Sequence, residues 1–283
     1  MREFEIVDVF ATRRYTGNQL AVVRDAADAT DEEMLAVAKE FGFSETTFVE
    51  SEGEKPRVRI FTPAEEVDFA GHPTLGTAAV LFGERDMEEV TLDLNVGPVT
   101  VREQEDLPWM EQNAPEFGGV HDTETVAEVL GIDATEIDDN HPVREVSTGL
   151  PAVIVPLESL DPVRRVSLDR EAYDEFVAES GAKVVHAFAP ETYEDENDLN
   201  ARMFAPYYGV PEDPATGSAN GCLGAYLVEH GYFDSPDVDV RVEQGYEIER
   251  PSLVRVRAGR NEDESIDIEV GGKVEKVAEG ELT

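Results

Sequence analysis

Ala70-Gly71-His72-Pro73-Thr74-Leu75-Gly76-Thr77-Ala78 and Glu212-Asp213-Pro214-Ala215-Thr216-Gly217-Ser218-Ala219 carry one pattern twice. A titratable residue stands before proline, then two residues, then Gly, Thr or Ser, and Ala, at an offset of 141 positions (72 to 213). Upstream, Arg59-Ile60-Phe61-Thr62-Pro63 recurs as Arg202-Met203-Phe204-Ala205-Pro206, offset by 143 (59 to 202), so the second copy has a connection two residues shorter. Two motifs repeated in the same order indicate duplicated domains. After each copy comes a helical stretch, 74–81 and 216–227, with Gly, Ala and Leu on nearly every face. A helix without a polar side must be enclosed, and small residues admit surrounding strands closely. The fold expected is α+β: two similar domains, each a curved, mostly antiparallel sheet or barrel wrapped round a central helix.

The flanking segments fit this plan. A helix is expected over 30–41, where Thr30 and Glu33 form a capping box and Met34, Leu35, Ala38 and Phe41 one stripe. Its counterpart is 169–180, with Tyr173, Phe176 and Val177 on one side and Gly181 as the stop. A short surface helix is expected over 123–130, ended by Gly131. Strands are expected at 4–10, 57–61, 90–94, 143–147, 153–155, 184–188, 200–204, 238–242, 253–256 and 266–270. The stretch 103–120, rich in acids, Pro and Gly, reads as the domain boundary. It gives a first domain of residues 1–115, joined by the tail 271–283, and a second of 116–270. The acidic run 193–198 reads as a solvated loop.

Composition removes whole classes of function. The 283 residues carry 23 basic and 63 acidic side chains, a formal charge of −40. Phosphate backbones need basic surface, so nucleic acid is excluded as a partner, and an anionic membrane is disfavoured. Self-repulsion on this scale is relieved by salt, which points to a halophilic cell interior. No apolar window is long enough to span a bilayer, no signal peptide is visible, and Cys222 is the single cysteine. A cytoplasmic protein is expected. Neither a metal-ligand cluster nor a Gly-x-Gly-x-x-Gly motif or P-loop occurs, so no metal or cofactor is expected.

Each enclosed helix begins at a Gly-containing turn, where unpaired backbone N–H groups attract anions. If the halves face one another, the two tips share a cleft, and a small carboxylic acid is the natural ligand for so acidic a chain. Ordinary helix caps would explain either tip alone. His72 and Asp213 occupy the same place in the two copies, whereas His121, His141, His186 and His230 have no such context and read as structural. Glu45, in Phe43-Ser44-Glu45-Thr46-Thr47-Phe48-Val49, stands at a strand start between apolar residues. Burial there would raise its pKa and suit it to proton transfer, although a glutamate in such a loop is also commonly just solvated.

Along essentially its whole length the sequence resembles the phenazine-biosynthesis isomerase family, the PhzF-like proteins. Besides the repeats, the matching segments are Asp8-Val9-Phe10, Thr16-Gly17-Asn18, Ser44-Glu45-Thr46-Thr47-Phe48, Ser147-Thr148-Gly149-Leu150-Pro151, Glu243-Gln244-Gly245 and Arg250-Pro251-Ser252. The resemblance implies a diaminopimelate epimerase-like fold, an interdomain cleft, no cofactor and a homodimer. It implies Glu45 as general acid/base, His72 and Asp213 in support, and Asn18, Gly71, Gly217 and Ser218 holding the substrate. The implied activity shifts a proton within a small unsaturated or cyclic carboxylic acid. Two positions depart from the family pattern: Gln19 replaces a proline after Asn18, and Glu249 replaces a glycine before Arg250. The alternatives are an amino-acid racemase or epimerase on the same fold, or a non-catalytic carboxylate-binding protein. Two-thiol racemisation is excluded, because Cys222 has no partner cysteine.

Overall fold

The structure, a computed structural model, describes residues 1–51, 53, 55–84 and 87–283. It divides into one unit of Met1–Glu111 with Gly271–Thr283, and a second of Gln112–Val270. The first unit holds β1 (Arg2–Val9), β2 (Asn18–Val23), α1 (Asp31–Phe41), β3 (Glu45–Val49), β4 (Val58–Phe61), β5 (Glu66–Val67), α2 (Gly71–Glu84), β6 (Glu89–Leu94), β7 (Gly97–Gln104) and β8 (Leu107–Glu111). The second holds β9 (Glu116–Val120), α3 (Thr123–Leu130), β10 (Arg144–Ser147), β11 (Pro151–Pro156), α4 (Leu160–Arg165), α5 (Arg170–Glu179), β12 (Val184–Ala189), β13 (Leu199–Ala205), β14 (Val210–Asp213), α6 (Gly217–Glu229), β15 (Asp237–Gln244), β16 (Ser252–Arg260) and β17 (Ile266–Gly271). The last strand, β18 (Val274–Leu282), pairs antiparallel with β1 and so belongs to the first unit.

In the first unit the strands run β18-β1-β2-β3-β4-β5, with β6-β7-β8 as an antiparallel meander. An isolated parallel bridge between Arg57, just before β4, and Asp93 in β6 joins the two groups of strands. These strands curve round α2, which packs against β1, β2, β3, β6, β7 and β8. Gly76 makes that enclosure possible: a Cβ there would lie 2.6 Å from Leu20 Cδ2 and 2.8 Å from Val9 Cγ2. On the outer face α1 presses Met34 and Ala38 into a cluster with Val23, Phe48 and Phe61.

The second unit repeats the plan. Its antiparallel β10–β11, parallel β11–β12 and antiparallel β12–β13 reproduce β1–β2, β2–β3 and β3–β4. The enclosed helix α6 packs on β10, β11, β15 and β16, and a Cβ on Gly224 would lie 2.6 Å from Val256 Cγ1. The repeated arginines also match. Arg59 makes a two-pronged contact with Glu66 (2.7 and 2.6 Å), and Arg202 does so with Glu212 (2.8 and 2.7 Å). Each guanidinium also lies over the phenylalanine two residues on, at 5.1 Å from Phe61 and 5.0 Å from Phe204. A buried arginine needs such a bidentate partner, which is why the strand after each motif supplies a glutamate.

Three expectations change. The stretch 103–120 is structured: β7 and β8 form a hairpin closed by Glu105 and Asp106, with φ of 55° and 61°. A two-residue turn of that hand normally advertises itself with Asn-Gly or Asp-Gly, so Glu-Asp hid it. At α1, Thr30 caps the Glu33 N–H (3.2 Å), but the Glu33 carboxylate turns away to Arg2 (2.5 Å), leaving the capping box half made. The acidic run exposes the side chains of Glu194, Asp195, Glu196 and Asp198, yet its backbone is pinned. The fully buried Glu243 carboxylate accepts the Tyr193 N–H (2.7 Å), the Glu194 N–H (2.9 Å), Asn197 Nδ2 (2.8 Å) and Asn200 Nδ2 (3.0 Å).

Filling the gap at Gly76 tests the enclosure. Gly76→Val should lower unfolding stability in urea by about 1–3 kcal/mol through overpacking. Gly83→Ala, on the same helix with nothing within 4 Å of the added carbon, should leave stability unchanged or raise it by roughly 0.5–1 kcal/mol.

Candidate active site

Three of the expected residues meet in the first unit. Asn18 opens β2, Glu45 opens β3, and His72 is the second residue of α2. Parallel pairing of β2 with β3 sets Leu20 opposite Glu45, which brings Asn18 and Glu45 to the same end of the two strands. Asn18 and His72 are almost wholly buried, and the Glu45 side chain is 19% exposed. His72 Nε2 lies 3.6 Å from Glu45 Oε2, and His72 Nδ1 lies 3.3 Å from Asn18 Nδ2. Ser44 Oγ donates to Asn18 Oδ1 at 3.5 Å.

Burial pushes the His72 pKa down to about 3, only partly offset by the Gln19 backbone. The ring is therefore neutral at physiological pH. With Ser44 donating to the Asn18 oxygen, the amide presents its NH₂ group to Nδ1. The tautomer protonated at Nε2 would present its proton to Glu45. At 3.6 Å the pair is longer than a hydrogen bond, so a small closing movement would complete it. Gly71, the first residue of α2, lies beside His72 at the helix tip.

The second unit presents the duplicate tip with different chemistry. Asp213 ends β14, is 7% exposed, and accepts a short hydrogen bond at Oδ2 from the Thr216 hydroxyl. Thr216 is the N-cap of α6, yet its side chain does not cap the helix. Gly217 and Ser218 are the first two helical residues. Here the copies diverge, because His72 lies inside the first turn of α2 whereas Asp213 precedes α6 on a strand. One feature unites the tips. Helices α1, α3, α4 and α5 all carry acids in the first turn, while α2 and α6 carry none. In a chain with 63 acids, the first turns of α2 and α6 thus leave the positive end of the helix dipole without an acid of their own, and the nearby carboxylates are Glu45 beside His72 and Asp213 before Thr216.

Sequence reasoning gave no role to the residues that hold this tip, Gln244 and Asn220, although Glu243-Gln244-Gly245 was noted as a motif. Their types carry no chemical signature until the fold brings them to Thr216. Of the two departures, Gln19 simply continues β2, paired with Asp8, and its side chain is exposed. Glu249 is exposed and sits at φ 60°, a left-handed turn position that a glycine would occupy without strain. Cys222 is fully buried, and burial pushes its thiol up to about 11, so it is an inert core residue. His121 and His141 are held by Glu145 (2.9 Å) and Asp138 (2.6 Å). Asp138, Asp139 and Glu158 place carboxylate oxygens within 4.8 Å of one another, with Asp138 engaged by Asn140 and His141. A groove of about 740 Å³ beside α3 and α5, lined by His121, Asp122, Glu128, Asp169, Glu175 and Phe176, contains none of the expected site residues.

The profile of the family described as phenazine biosynthesis-like protein matches residues 7–280. The chain is 35% identical to an uncharacterised isomerase of Mesorhizobium japonicum, over 99% of this chain and 98% of the relative. It is 35% identical to the trans-2,3-dihydro-3-hydroxyanthranilate isomerase of Pseudomonas chlororaphis, over 96% of each. The crystal structure of the Bacillus anthracis phenazine biosynthesis protein of the PhzF family superposes with a TM-score of 0.91 at 31% identity, covering 100% of this chain and 99% of that one. A hydroxyproline epimerase from Agrobacterium vitis shares the fold at a TM-score of 0.62 and 10% identity.

A buried neutral histidine makes the fold acid-sensitive with a definite sign. Between the unfolded value near 6.5 and the folded value near 3, the unfolded chain binds the extra proton, so this contribution to stability is lost as pH falls through that window. His72→Asn should flatten the fall in urea midpoint between pH 6.5 and 4 relative to the parent chain. Identical slopes would contradict the burial of a neutral ring.

Proposed function

This chain belongs to the phenazine biosynthesis-like family and is an isomerase, and on that footing we propose that it moves a proton within a small unsaturated or cyclic carboxylic acid, with Glu45 as the carrier. The supporting observation is the half-buried Glu45 carboxylate 3.6 Å from a neutral, deeply buried His72 that Asn18 holds in place. In the proposed step the Glu45 carboxylate takes a proton from one carbon. The electron pair left behind joins the conjugated system, the double bond migrates, and the same carboxyl returns the proton to a second carbon. Nothing is oxidised or reduced, and no cofactor or metal enters the scheme. One carboxyl can serve both half-steps, as base in the first and acid in the second, and its partial exposure lets it exchange its proton with solvent between them.

His72, as a neutral Nε2–H donor, would steady the carboxylate form of Glu45 between the half-steps. Asp213 is assigned a supporting role in the same proton transfer. Gly71, Gly217 and Ser218, at the tips of α2 and α6, are assigned to the substrate's carboxylate, since neither first turn holds a competing acid. The Pseudomonas relative named for trans-2,3-dihydro-3-hydroxyanthranilate makes that compound the first probe. Racemisation through thiols has no support in a buried, lone Cys222. We further propose a cytoplasmic homodimer working in concentrated salt, because a −40 surface repels itself over about 10 Å at 0.1 M salt but only about 3 Å at 1 M.

Turnover of the probe in D₂O should place deuterium on the carbon that gains the proton. Glu45→Gln keeps the shape without the titrating oxygen and should cut kcat by about 10²–10⁴-fold. Parent-like turnover by that variant would sink the assignment, and binding of the probe without deuterium uptake would favour a pure carboxylate-binding protein. Raising KCl from 0.1 to 2 M should raise the melting temperature; a flat response would remove the salt proposal.

A further inference from the structure

Beneath the α6 tip lies a polar network with a fixed direction. Gln244, the last residue of β15, is fully buried, and all four hydrogen-bonding positions of its amide are used. Nε2 donates to the Asp213 carbonyl (2.8 Å) and to Thr216 Oγ1 (3.2 Å). Oε1 accepts from the Thr216 backbone N–H (3.3 Å) and from Asn220 Nδ2 (2.9 Å). Asn220, also fully buried, gives its Nδ2 to the Thr216 carbonyl as well (3.0 Å). Gly245 permits the close approach, since a Cβ there would lie 2.6 Å from the Pro214 carbonyl oxygen.

Backbone atoms set the polarity of this network. A backbone N–H can only donate, so the Gln244 oxygen must face Thr216 N. A carbonyl can only accept, so the Gln244 nitrogen must face Asp213 O and the Asn220 nitrogen Thr216 O. Because Gln244 Nε2 donates to Thr216 Oγ1, the Thr216 hydroxyl directs its own proton onward, to Asp213 Oδ2. We infer that Gln244 is the positioning residue of Asp213: through Thr216 it holds Oδ2 as a permanent acceptor, so that any proton Asp213 exchanges travels through Oδ1. The inference deepens the proposed proton-transfer role of Asp213 and rests on it for its catalytic meaning, though not for its geometry.

The test needs no substrate in its first arm. The Asp213 ¹³Cγ resonance is titrated in protein labelled at aspartate and assigned with Asp213→Asn. Thr216→Val keeps the shape and removes the hydroxyl; it should raise the Asp213 midpoint by about one pH unit, as expected when a carboxylate loses a donor. Thr216→Ser should restore the parent value. Gln244→Glu replaces the donor with an acceptor, turns the Thr216 hydroxyl away from Asp213, and should likewise raise the midpoint. In the second arm, with trans-2,3-dihydro-3-hydroxyanthranilate as probe, Thr216→Val and Gln244→Glu should lower kcat by about 10- to 100-fold at little-changed KM, with Thr216→Ser near the parent. An Asp213 midpoint that is the same in the parent and Thr216→Val overturns the inference. So does a Gln244→Glu variant that melts earlier while keeping the parent midpoint. If Gln244→Glu does not fold, the Thr216 pair decides alone. Failure of the parent chain to convert the probe counts against the proposed substrate, and the carboxyl titration then judges the clamp by itself.

Discussion

Everything in each unit depends on enclosing a helix that has no polar face. Helices α2 and α6 can enter their curved sheets only where a side chain is missing, at Gly76 against Val9 and Leu20 and at Gly224 against Val256. Burial along the shaft stabilises the helix but leaves its first N–H groups to be dealt with at the end. The outer helices solve this with acids and side-chain caps, such as Thr30 on α1, Asp122 on α3 and Asp169 on α5. On α6 the cap residue Thr216 spends its hydroxyl on Asp213 instead.

The same packing governs the titrating groups. His72 is neutral because it sits within the first turn of a buried helix, not because of any charged neighbour; desolvation is the dominant cause. A neutral ring can donate one proton to Glu45 without neutralising it outright, as an imidazolium would. Asp213, at the end of a strand and gripped by Thr216, is held by hydrogen bonds instead. Duplication thus supplied two similar frames, and the residue before each proline then diverged in kind and in local setting.

Much of this was legible in the sequence because it was written twice. The offset repeats exposed the duplication, and the apolar runs after them exposed the enclosed helices. The strand headed by Glu45 was legible from the apolar run after it, whereas the role proposed for Glu45 comes from the resemblance to the PhzF-like proteins. The hairpin at Glu105 and Asp106 was not, since neither residue advertises a left-handed turn. Glu243 and Gln244 were equally hidden: a Glu-Gln pair at a strand end reads as solvated until the fold buries both. The acidic run was read correctly in its charges and incompletely in its backbone, because the carboxylate that pins it lies 46 residues away from Asn197 in the chain. Side-chain networks joining distant segments leave no periodic trace in a sequence.

The chemistry proposed for Glu45 requires a neutral His72 with its proton on Nε2. Imidazole ¹⁵N chemical shifts of His72, assigned with His72→Asn and followed from pH 8 to pH 5, test it most directly. The ring should stay neutral throughout, protonated at Nε2, with that nitrogen's shift moving in Glu45→Gln. An imidazolium forming near pH 6.5, or a proton resident on Nδ1, would contradict it.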